Sequence, residues 1–261
     1  MSVPRFLLDP PRVIAHRGAS STHPENTVAA FDQALVEGCD GLELDLQLSR
    51  DGVPVVYHDR TLQKIGGGRR GVAELTWAEI AELDAGRRLD PRYTGQRVPT
   101  LGLVLDRYGP RTGLLLELRV RPADKRAGRH LALADAMVAQ LRTRRLPTVL
   151  VLCFDLDTLD AVSARAPEIP TVLNLKAPRR MTRSLNQSLN RVSALSIDVR
   201  TISNEIVAAA HDAAKPVLTW TCNTPDTVER ALGAGADGLM SDRPGWLRRA
   251  VDTWPEAPPE P

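Results

Sequence analysis

Short apolar runs alternate with amphipathic stretches along almost the whole chain. Eight runs rich in Val, Leu and Ile have the length of buried strands, and segments with helical periodicity lie between most of them. Strands that alternate with helices indicate βαβ units and a parallel sheet. The predicted strands are 12–16, 41–48, 113–119, 148–155, 171–175, 194–199, 217–221 and 238–240.

Eight strand–helix units in one chain of 261 residues predict an α/β fold of the (β/α)8 TIM-barrel type. Such a barrel typically needs about 250 residues. A doubly wound open sheet is the alternative architecture. The clearest predicted helices are 25–37, 130–144, 158–166, 203–214 and 225–232.

One segment interrupts the alternation after the second predicted strand. Asp51-Gly52 is a turn signal, and the run 53–57 after it is typical of a strand. Residues 59–99 are too many for a simple βα loop, and they contain a helical pattern at 76–84. We interpret 59–99 as a small cap inserted into a single barrel domain, 1–252, and the Pro-rich residues 253–261 as a disordered tail.

Composition excludes several classes of protein. The formal net charge is only +2, which gives no reason to expect nucleic acid or an anionic membrane as a partner. No apolar run approaches the length of a membrane span, and the N-terminus lacks the features of a signal peptide. Cys39, Cys153 and Cys222 are far apart, which argues against disulfides or a cysteine-based zinc site. We expect a cytoplasmic protein without stable membrane anchoring; its oligomeric state stays open.

Three acidic residues occupy strands that would otherwise be apolar. Glu43 and Asp45 are two residues apart and therefore face the same side of the second strand, and Glu117 lies within the third. Carboxylates inside a barrel repel one another unless a cation lies between them. Oxygen ligands of this kind suit Mg²⁺ or Ca²⁺. The alternative is a network of salt bridges with Arg17 and Arg119.

Two of the five histidines end strand-like runs. His16 and His58 would both lie at the carboxyl ends of strands, where the active sites of TIM barrels are found. Beside the carboxylates they suggest a general acid and a general base, although capping or hydrogen-bonding roles remain possible from the pattern alone. His130 and His211 fall in predicted helices and indicate surface or packing roles, and His23 is ambiguous.

A series of short motifs resembles the glycerophosphodiester phosphodiesterase family between about residues 13 and 244. Each motif alone is weak, and the ordered set is specific. In chain order the motifs are HRG (16–18), PENT (24–27), ELD (43–45), DG (51–52), HD (58–59), LEL (116–118), WTCN (220–223) and DGLMSDRP (237–244).

The resemblance implies a TIM barrel with a small insertion after its second strand. It also implies roles for the candidate residues: His16 and His58 as the acid–base pair, and Glu43, Asp45 and Glu117 as ligands of one divalent cation. Arg17 would contact the phosphate, and Trp220 would line the site near the alcohol moiety. Glu25 and Asn26 belong to a further motif, which we interpret as the start of a helix and a wall of the site.

One residue departs from the family pattern. The family usually has Lys two residues after the glutamate of the third strand, and this chain has Arg119. The positive charge is kept, but a planar guanidinium replaces a compact ammonium group. We expect Arg119 still to bind the phosphate of the substrate.

The expected reaction is metal-dependent hydrolysis of a small-molecule glycerophosphodiester to sn-glycerol 3-phosphate and an alcohol. One alternative is a lysophospholipase D, which would use the same residues on a lipid substrate. An alternative of another class is a non-catalytic barrel that serves as a binding module. Such a module would need none of the five candidate catalytic and metal-binding residues, and all five are present.

Overall fold

The computed structural model describes residues 5–7, 11–177 and 187–254. The Pro-rich tail predicted from the sequence lies, from residue 255 onward, outside the described residues. Within the described ranges, no helix is both long and apolar enough to span a bilayer.

Nine strands form one sheet, and eight of them close into a parallel barrel. Going round the sheet, the order is β1-β9-β8-β7-β6-β5-β4-β2, and a pairing between β1 and β2 closes the ring. The strands are β1 Arg12–His16, β2 Gly41–Leu48, β3 Pro54–Val56, β4 Gly113–Leu118, β5 Val149–Cys153, β6 Thr171–Leu175, β7 Ala194–Asp198, β8 Val217–Trp220 and β9 Gly238–Ser241.

Helices connect the strands and cover the outside of the barrel. Several begin at a threonine, serine or aspartate whose side chain accepts a hydrogen bond from the first turn, as at Thr27, Asp155 and Ser203. The helices are α1 Val28–Val36, α2 Trp77–Ala81, α3 Leu101–Tyr108, α4 Pro122–Arg126, α5 Arg129–Arg142, α6 Leu156–Arg165, α7 Asn204–Asp212, α8 Pro225–Gly233 and α9 Pro244–Asp252.

The prediction of a TIM barrel is confirmed, and all eight predicted strands are found with ends that differ by at most two residues. The five helices named from the sequence are also present. Helices α3, α4 and α9 were not predicted. The first contains Gly102, the second is a short polar segment, and the third begins at Pro244-Gly245, so each lacks a clear helical signal.

Strand β2 shows how sequence alternation divides the two faces of the barrel wall. Its four leucines, at 42, 44, 46 and 48, pack outward into the large core between the wall and the helices. The alternate positions Glu43, Asp45 and Gln47 therefore face inward, because successive side chains of a strand point to opposite sides. The same periodicity that builds the outer core places carboxylates inside the barrel.

The amino end of the barrel is filled by an apolar plug. Phe6 and Leu7, which precede β1, pack with the inward residues of the lower strands. The ring of Phe6 needs glycine beside it: a Cβ on Gly113 would lie 2.9 Å from its Cε2 atom, and one on Gly41 would lie 3.0 Å from its Cζ atom. The lower half of the barrel is thus closed and packed.

The predicted cap is present between β3 and α3 and has its own core. Strand β3 turns back antiparallel along the carboxyl half of β2, beyond the part of β2 that pairs with β1. The cap also contacts the loop after β1, where the Tyr93 hydroxyl donates to the Thr22 carbonyl. Its buried apolar residues are Val55, Tyr57, Leu62, Ile65, Val72, Leu75, Ile80 and Val98.

Candidate active site

Three carboxylates meet inside the barrel at the carboxyl ends of adjacent strands. Glu43 and Asp45 project from β2, and Glu117 projects from β4, where it is the direct partner of Asp45 in the sheet. One oxygen from each of the three residues lies within 4.8 Å of the others. Glu43 and Asp45 are only 2% and 1% exposed. The structure therefore brings together the three residues that the sequence singled out as a metal site.

Two arginines share this acidic cluster unequally. Arg17 Nε lies 3.0 Å from Asp45 Oδ2, whereas Arg119 contacts Glu117 Oε1 through Nη1 and lies 3.6 Å from Asp45 Oδ1 through Nε. Glu43 has no arginine side chain within ion-pair distance among the described residues. It accepts a hydrogen bond only from the backbone N–H of Arg17, at 3.2 Å. The salt-bridge network expected as an alternative is thus present around Asp45 and Glu117, but it leaves Glu43 out.

The charges of the cluster do not balance. Burial, followed by repulsion from Asp45 and Glu117, raises the pKa of Glu43 well above its usual value. Burial and Asp45 also raise the pKa of Glu117. Three carboxylates and two guanidinium groups leave one uncompensated negative charge. A divalent cation together with a singly charged phosphodiester would bring the sum to zero, and the hard oxygen donors suit Mg²⁺ or Ca²⁺.

His16 is oriented by a carboxylate from the last strand. Its Nδ1 lies 2.6 Å from Asp242 Oδ1, and Ser20 and Asn223 donate further hydrogen bonds to Asp242. Burial would raise the pKa of Asp242, but the bonds from His16, Asn223 and Ser20 lower it to about 2, so this residue is a carboxylate at neutral pH. His16 Nδ1 therefore carries the hydrogen, and Nε2 faces the cluster, 4.0 Å from Glu43 Oε2.

His58 has a similar arrangement on the cap side. Its Nδ1 lies 2.9 Å from Asp59 Oδ1, and Lys64 Nζ lies 2.9 Å from Asp59 Oδ2. Burial opposes the ionisation of Asp59, but Lys64 and His58 lower its pKa below the usual range. Burial lowers the pKa of His58 itself, so this imidazole is neutral at pH 7 with Nε2 available as an acceptor.

A second acidic group contains His58, Asp59 and Glu25, close enough together to be considered as another metal site. Lys64 already lies between the two carboxylates, 2.9 Å from Asp59 and 3.5 Å from Glu25. Arg17 Nη1 also donates to Glu25 at 3.0 Å. Because these cations neutralise the group, we interpret it as the support of His58 and Arg17.

Unusual backbone conformations hold the loop after β1 against the cluster. Arg17 and Asn26 both have positive φ, 60° and 58°, and Gly18 has φ 82°. A Cβ on Gly18 would lie 2.6 Å from the carbonyl carbon of Ala30, so only glycine allows the helix to approach this closely. This turn places Asn26 so that its side-chain amide donates a hydrogen bond to Asp45 Oδ2 at 2.9 Å. The interpretation of Asn26 as a wall of the site is supported, whereas the helix begins later than expected, at Val28.

Trp220 lies at the carboxyl end of β8, as expected for a residue of the site wall. Its ring packs edge-on against Phe154, with centroids 5.8 Å apart, and its Nε1–H is buried without a partner among the described residues. Asn174 on β6 donates to Glu117 Oε2 at 2.9 Å, while its own Oδ1 is buried and has no partner in the described part of the chain. Asn174 therefore lies beside the acidic cluster.

Asn174 was not singled out from the sequence, and Asp242 was noted only as a polar residue that follows the last predicted strand, without a role. Asp242 lies in the last motif of the ordered series, directly after a buried strand. Asn174 is a polar residue at an inward position of the apolar strand TVLNL. A test of every inward position for polar residues would have found Asn174. The role of Asp242 required the closed barrel, which brings β9 beside β1.

A closed parallel barrel with acidic, histidine and arginine side chains at the carboxyl ends of its strands defines a TIM-barrel enzyme. The sequence profile of the glycerophosphoryl diester phosphodiesterase family matches residues 16–246. The chain therefore belongs to this family, and it is a phosphodiesterase.

Individual relatives agree with this assignment. The chain is 30% identical over 242 residues to the glycerophosphodiester phosphodiesterase of Caldanaerobacter subterraneus subsp. tengcongensis, covering 92% of this chain and 97% of that protein. A solved structure from Silicibacter pomeroyi is 34% identical with a TM-score of 0.85 and covers 95% of this chain and 96% of its own. An Oleispira antarctica phosphodiesterase, solved with the product sn-glycerol-3-phosphate, is 30% identical with a TM-score of 0.83, covering 93% and 97%.

Proposed function

We propose that this enzyme hydrolyses glycerophosphodiesters to sn-glycerol 3-phosphate and an alcohol, with a divalent cation and two histidines. The observation that carries the proposal is the cluster of Glu43, Asp45 and Glu117, which is flanked by the Nε2 atom of His16. The relative from Oleispira antarctica, solved with sn-glycerol-3-phosphate, supports the choice of product.

Glu43, Asp45 and Glu117 would hold the cation. Glu43 is the strongest reason, since it is a buried carboxylate that forms no ion pair with an arginine in the described part of the chain. Burying an uncompensated charge is costly, and a bound cation removes that cost. When bound, Mg²⁺ or Ca²⁺ supplies Lewis acidity that neutralises the phosphoryl charge.

The histidines divide the proton transfers between them. His58 is neutral at pH 7 because burial lowers its pKa, so we assign it the general base that removes a proton from the attacking oxygen. We assign His16 the role of the general acid that protonates the leaving alkoxide, because the Asp242 carboxylate holds its Nδ1 and Nε2 faces the cluster. The attacking oxygen belongs either to water or to the glycerol 2-hydroxyl of the substrate; attack by the hydroxyl forms a cyclic phosphate, which water opens in a second step.

Arg17 and Arg119 bind and orient the phosphate. Their guanidinium groups lie on either side of Asp45 and can donate two hydrogen bonds each to phosphoryl oxygens. Trp220, with Phe154 packed against it, forms the wall beside the alcohol moiety.

The test is the release of sn-glycerol 3-phosphate from glycerophosphocholine by the purified chain. After treatment with a chelator and dialysis, activity should be absent, and Mg²⁺ or Ca²⁺ should restore it. Full activity in excess chelator would rule out the metal in the proposal while leaving the phosphodiesterase assignment intact.

A lysophospholipase D activity is the second candidate, and one cavity favours it. This cavity of about 340 Å³ lies between the loop after β1 and the cap. Val56, Ile65 and Val98 give it an apolar wall. Its opposite side is polar, with Glu25, Lys64 and Arg88. Each buried methylene contributes about 0.8 kcal/mol, so a lipid-specific site needs a long apolar wall.

Most apolar residues of the cap are already buried in its own core. We therefore propose that small water-soluble diesters are preferred over lysophospholipids. A higher specificity constant for lysophosphatidylcholine, measured below its micelle threshold, than for glycerophosphocholine would reverse this choice.

A further inference from the structure

A second cavity, of about 300 Å³, opens directly beside Glu117 at the carboxyl ends of β4, β5 and β6. It is distinct from the cavity between the loop after β1 and the cap. The two cavities share no lining residue. The residues that line this second cavity are Glu117, Leu118, Arg119, Val120, Arg121, Cys153, Phe154 and Lys176. A diester bound at the cluster thus has room for an alcohol moiety on this side.

Two cations of this cavity form no ion pair with a carboxylate among the described residues. Arg119 is committed to Glu117 and Asp45, but no carboxylate among the described residues forms an ion pair with Arg121 or Lys176. The side chain of Arg121 is held in place by a hydrogen bond from Nη2 to the carbonyl of Asp59, at 3.0 Å. Arg121 is therefore fixed in position, and Asp124 and Asp59 attract its charge without forming an ion pair with it in the described part of the chain.

The surroundings of Arg121 favour an anion. Burial is the main cause that lowers the pKa of Arg121; Asp124 opposes it, and Arg119 and Arg60 lower the pKa further. Like charges that crowd a half-buried guanidinium disfavour its charged form, and an added anion relieves that repulsion. The hydrogen-bonding fork of a guanidinium suits a carboxylate or a phosphate in particular.

The aromatic wall of the same cavity is closed to cationic head groups. Phe154 is 37% exposed and packs edge-on against Trp220, which would otherwise make it a suitable surface for a quaternary ammonium. Lys176 Nζ already lies over the Phe154 ring, 5.4 Å from its centroid. A choline or ethanolamine group would have to displace this ammonium and would be repelled by it and by Arg121.

We propose that this cavity binds the alcohol moiety of the substrate and selects glycerophosphodiesters whose alcohol carries an anionic group. Arg121 and Lys176 are the residues that determine this specificity, by pairing with a carboxylate or a second phosphate on the alcohol. This inference rests on the proposed phosphodiesterase reaction and names the substrate class of the same site.

Two substrates that differ by a single carboxylate provide the test: glycerophosphoserine and glycerophosphoethanolamine. The wild-type kcat/KM should favour the serine diester by at least about tenfold, the value of one charge-assisted hydrogen bond. Arg121→Gln and Lys176→Gln should each reduce this ratio by about threefold or more, while kcat/KM for the ethanolamine diester stays the same or rises because a repelling charge is removed. Lys176→Glu should invert the preference.

Lys215→Gln is the matched control, because it removes the same charge just before β8, at the opposite end of the barrel. Its ratio should equal that of the wild type. Equal losses on both diesters in the Arg121 and Lys176 variants would overturn the inference, since the residues would then bind the shared phosphate. A wild-type ratio near one would overturn it as well. Failure to hydrolyse any diester would instead contradict the proposed function on which the inference rests.

Discussion

The two ends of the barrel interior are built from the same strands, but the lower end is lined by apolar side chains and the upper end carries charged and catalytic ones. On β1, Ile14 lies in the lower layer and His16 in the upper layer; on β4, Leu115 and Glu117 stand in the same relation. On these two strands, only two residues separate a packed apolar position from a charged or catalytic one. The inward residues of the lower layer include Ile14, Leu115, Leu150, Val172, Ala194, Leu218 and Met240.

This contrast assigns stability and function to different ends of the barrel. Each leucine or isoleucine fully buried in the lower layer contributes about 1.5–3 kcal/mol to the free energy of folding. In the upper layer, Glu43 and Glu117 are buried where repulsion and desolvation raise their pKa values, which disfavours the ionised folded state. The apolar burial in the lower layer offsets the repulsion and desolvation of the carboxylates in the upper layer.

The largest expected effect separates the two ends directly. Glu43→Gln should reduce turnover by about 10³-fold or more, because several kcal/mol of transition-state stabilisation depend on the metal. In chelator, the Glu43→Gln variant should be at least as stable as the wild type, since the repulsion of Glu43 by Asp45 and Glu117 is removed. Leu115→Ala should instead lower the free energy of unfolding by about 2–5 kcal/mol and leave the turnover of the folded enzyme largely intact. Denaturant unfolding in chelator and activity assays measure both.

The opposite pattern would contradict this division of roles. If Glu43→Gln kept its activity and lost stability in chelator, Glu43 would be a structural residue like those of the lower layer.

The histidines give the next effect. His16→Ala and His58→Ala should each lower kcat by about 10²–10⁴, the usual contribution of a positioned acid or base. His211→Ala is the control, because His211 also pairs with an aspartate, Asp237, but at the end of a helix outside the barrel. Steady-state kinetics of the three variants compare them. If His16→Ala or His58→Ala kept more than about half of the wild-type rate, the histidine it replaces would not be the acid or base assigned here.

The sequence predicted the upper layer better than it predicted the contacts within it. The alternation in GLELDLQL was enough to place Glu43 and Asp45 inside the barrel, and LLLEL was enough for Glu117. It could not show that Arg17 and Asn26 both reach Asp45, because these contacts depend on positive φ angles in two turns. Nor could it pair His16 with Asp242, which lies at the far end of the chain.

Arg119 tests the departure from the family pattern and has an intermediate expected effect. Arg119→Lys should keep kcat/KM of the same order, since the charge beside Asp45 and Glu117 is kept. Arg119→Ala should raise KM and lower kcat, reducing kcat/KM by about tenfold to a hundredfold, the loss of one charge-assisted contact. The measurement is of kcat and KM for glycerophosphocholine with the wild type and the two Arg119 variants. Equal kinetics of wild type and Arg119→Ala would mean that this residue does not contact the phosphate.

The smallest effect is the shape of the pH profile. Burial lowers the pKa of His58 below 6.5, and the base must be neutral to accept a proton. At saturating metal, the decline of kcat/KM at low pH should therefore have its midpoint below pH 6.5. Asp242, with a pKa of about 2, stays ionised throughout this range. If kcat/KM fell with decreasing pH with a midpoint above pH 7, His58 would not be the neutral base.

Metal binding by calorimetry tests the central claim most directly, because it requires no turnover. After removal of metal, the wild type and His58→Ala should each bind one Mg²⁺ or Ca²⁺ per chain, and Glu43→Gln should not. Since only the folded chain offers the site, metal at about 100 times its dissociation constant should stabilise the wild type by about 2.7 kcal/mol. Equal binding by wild type and Glu43→Gln, or no binding by an active wild type, would contradict the account.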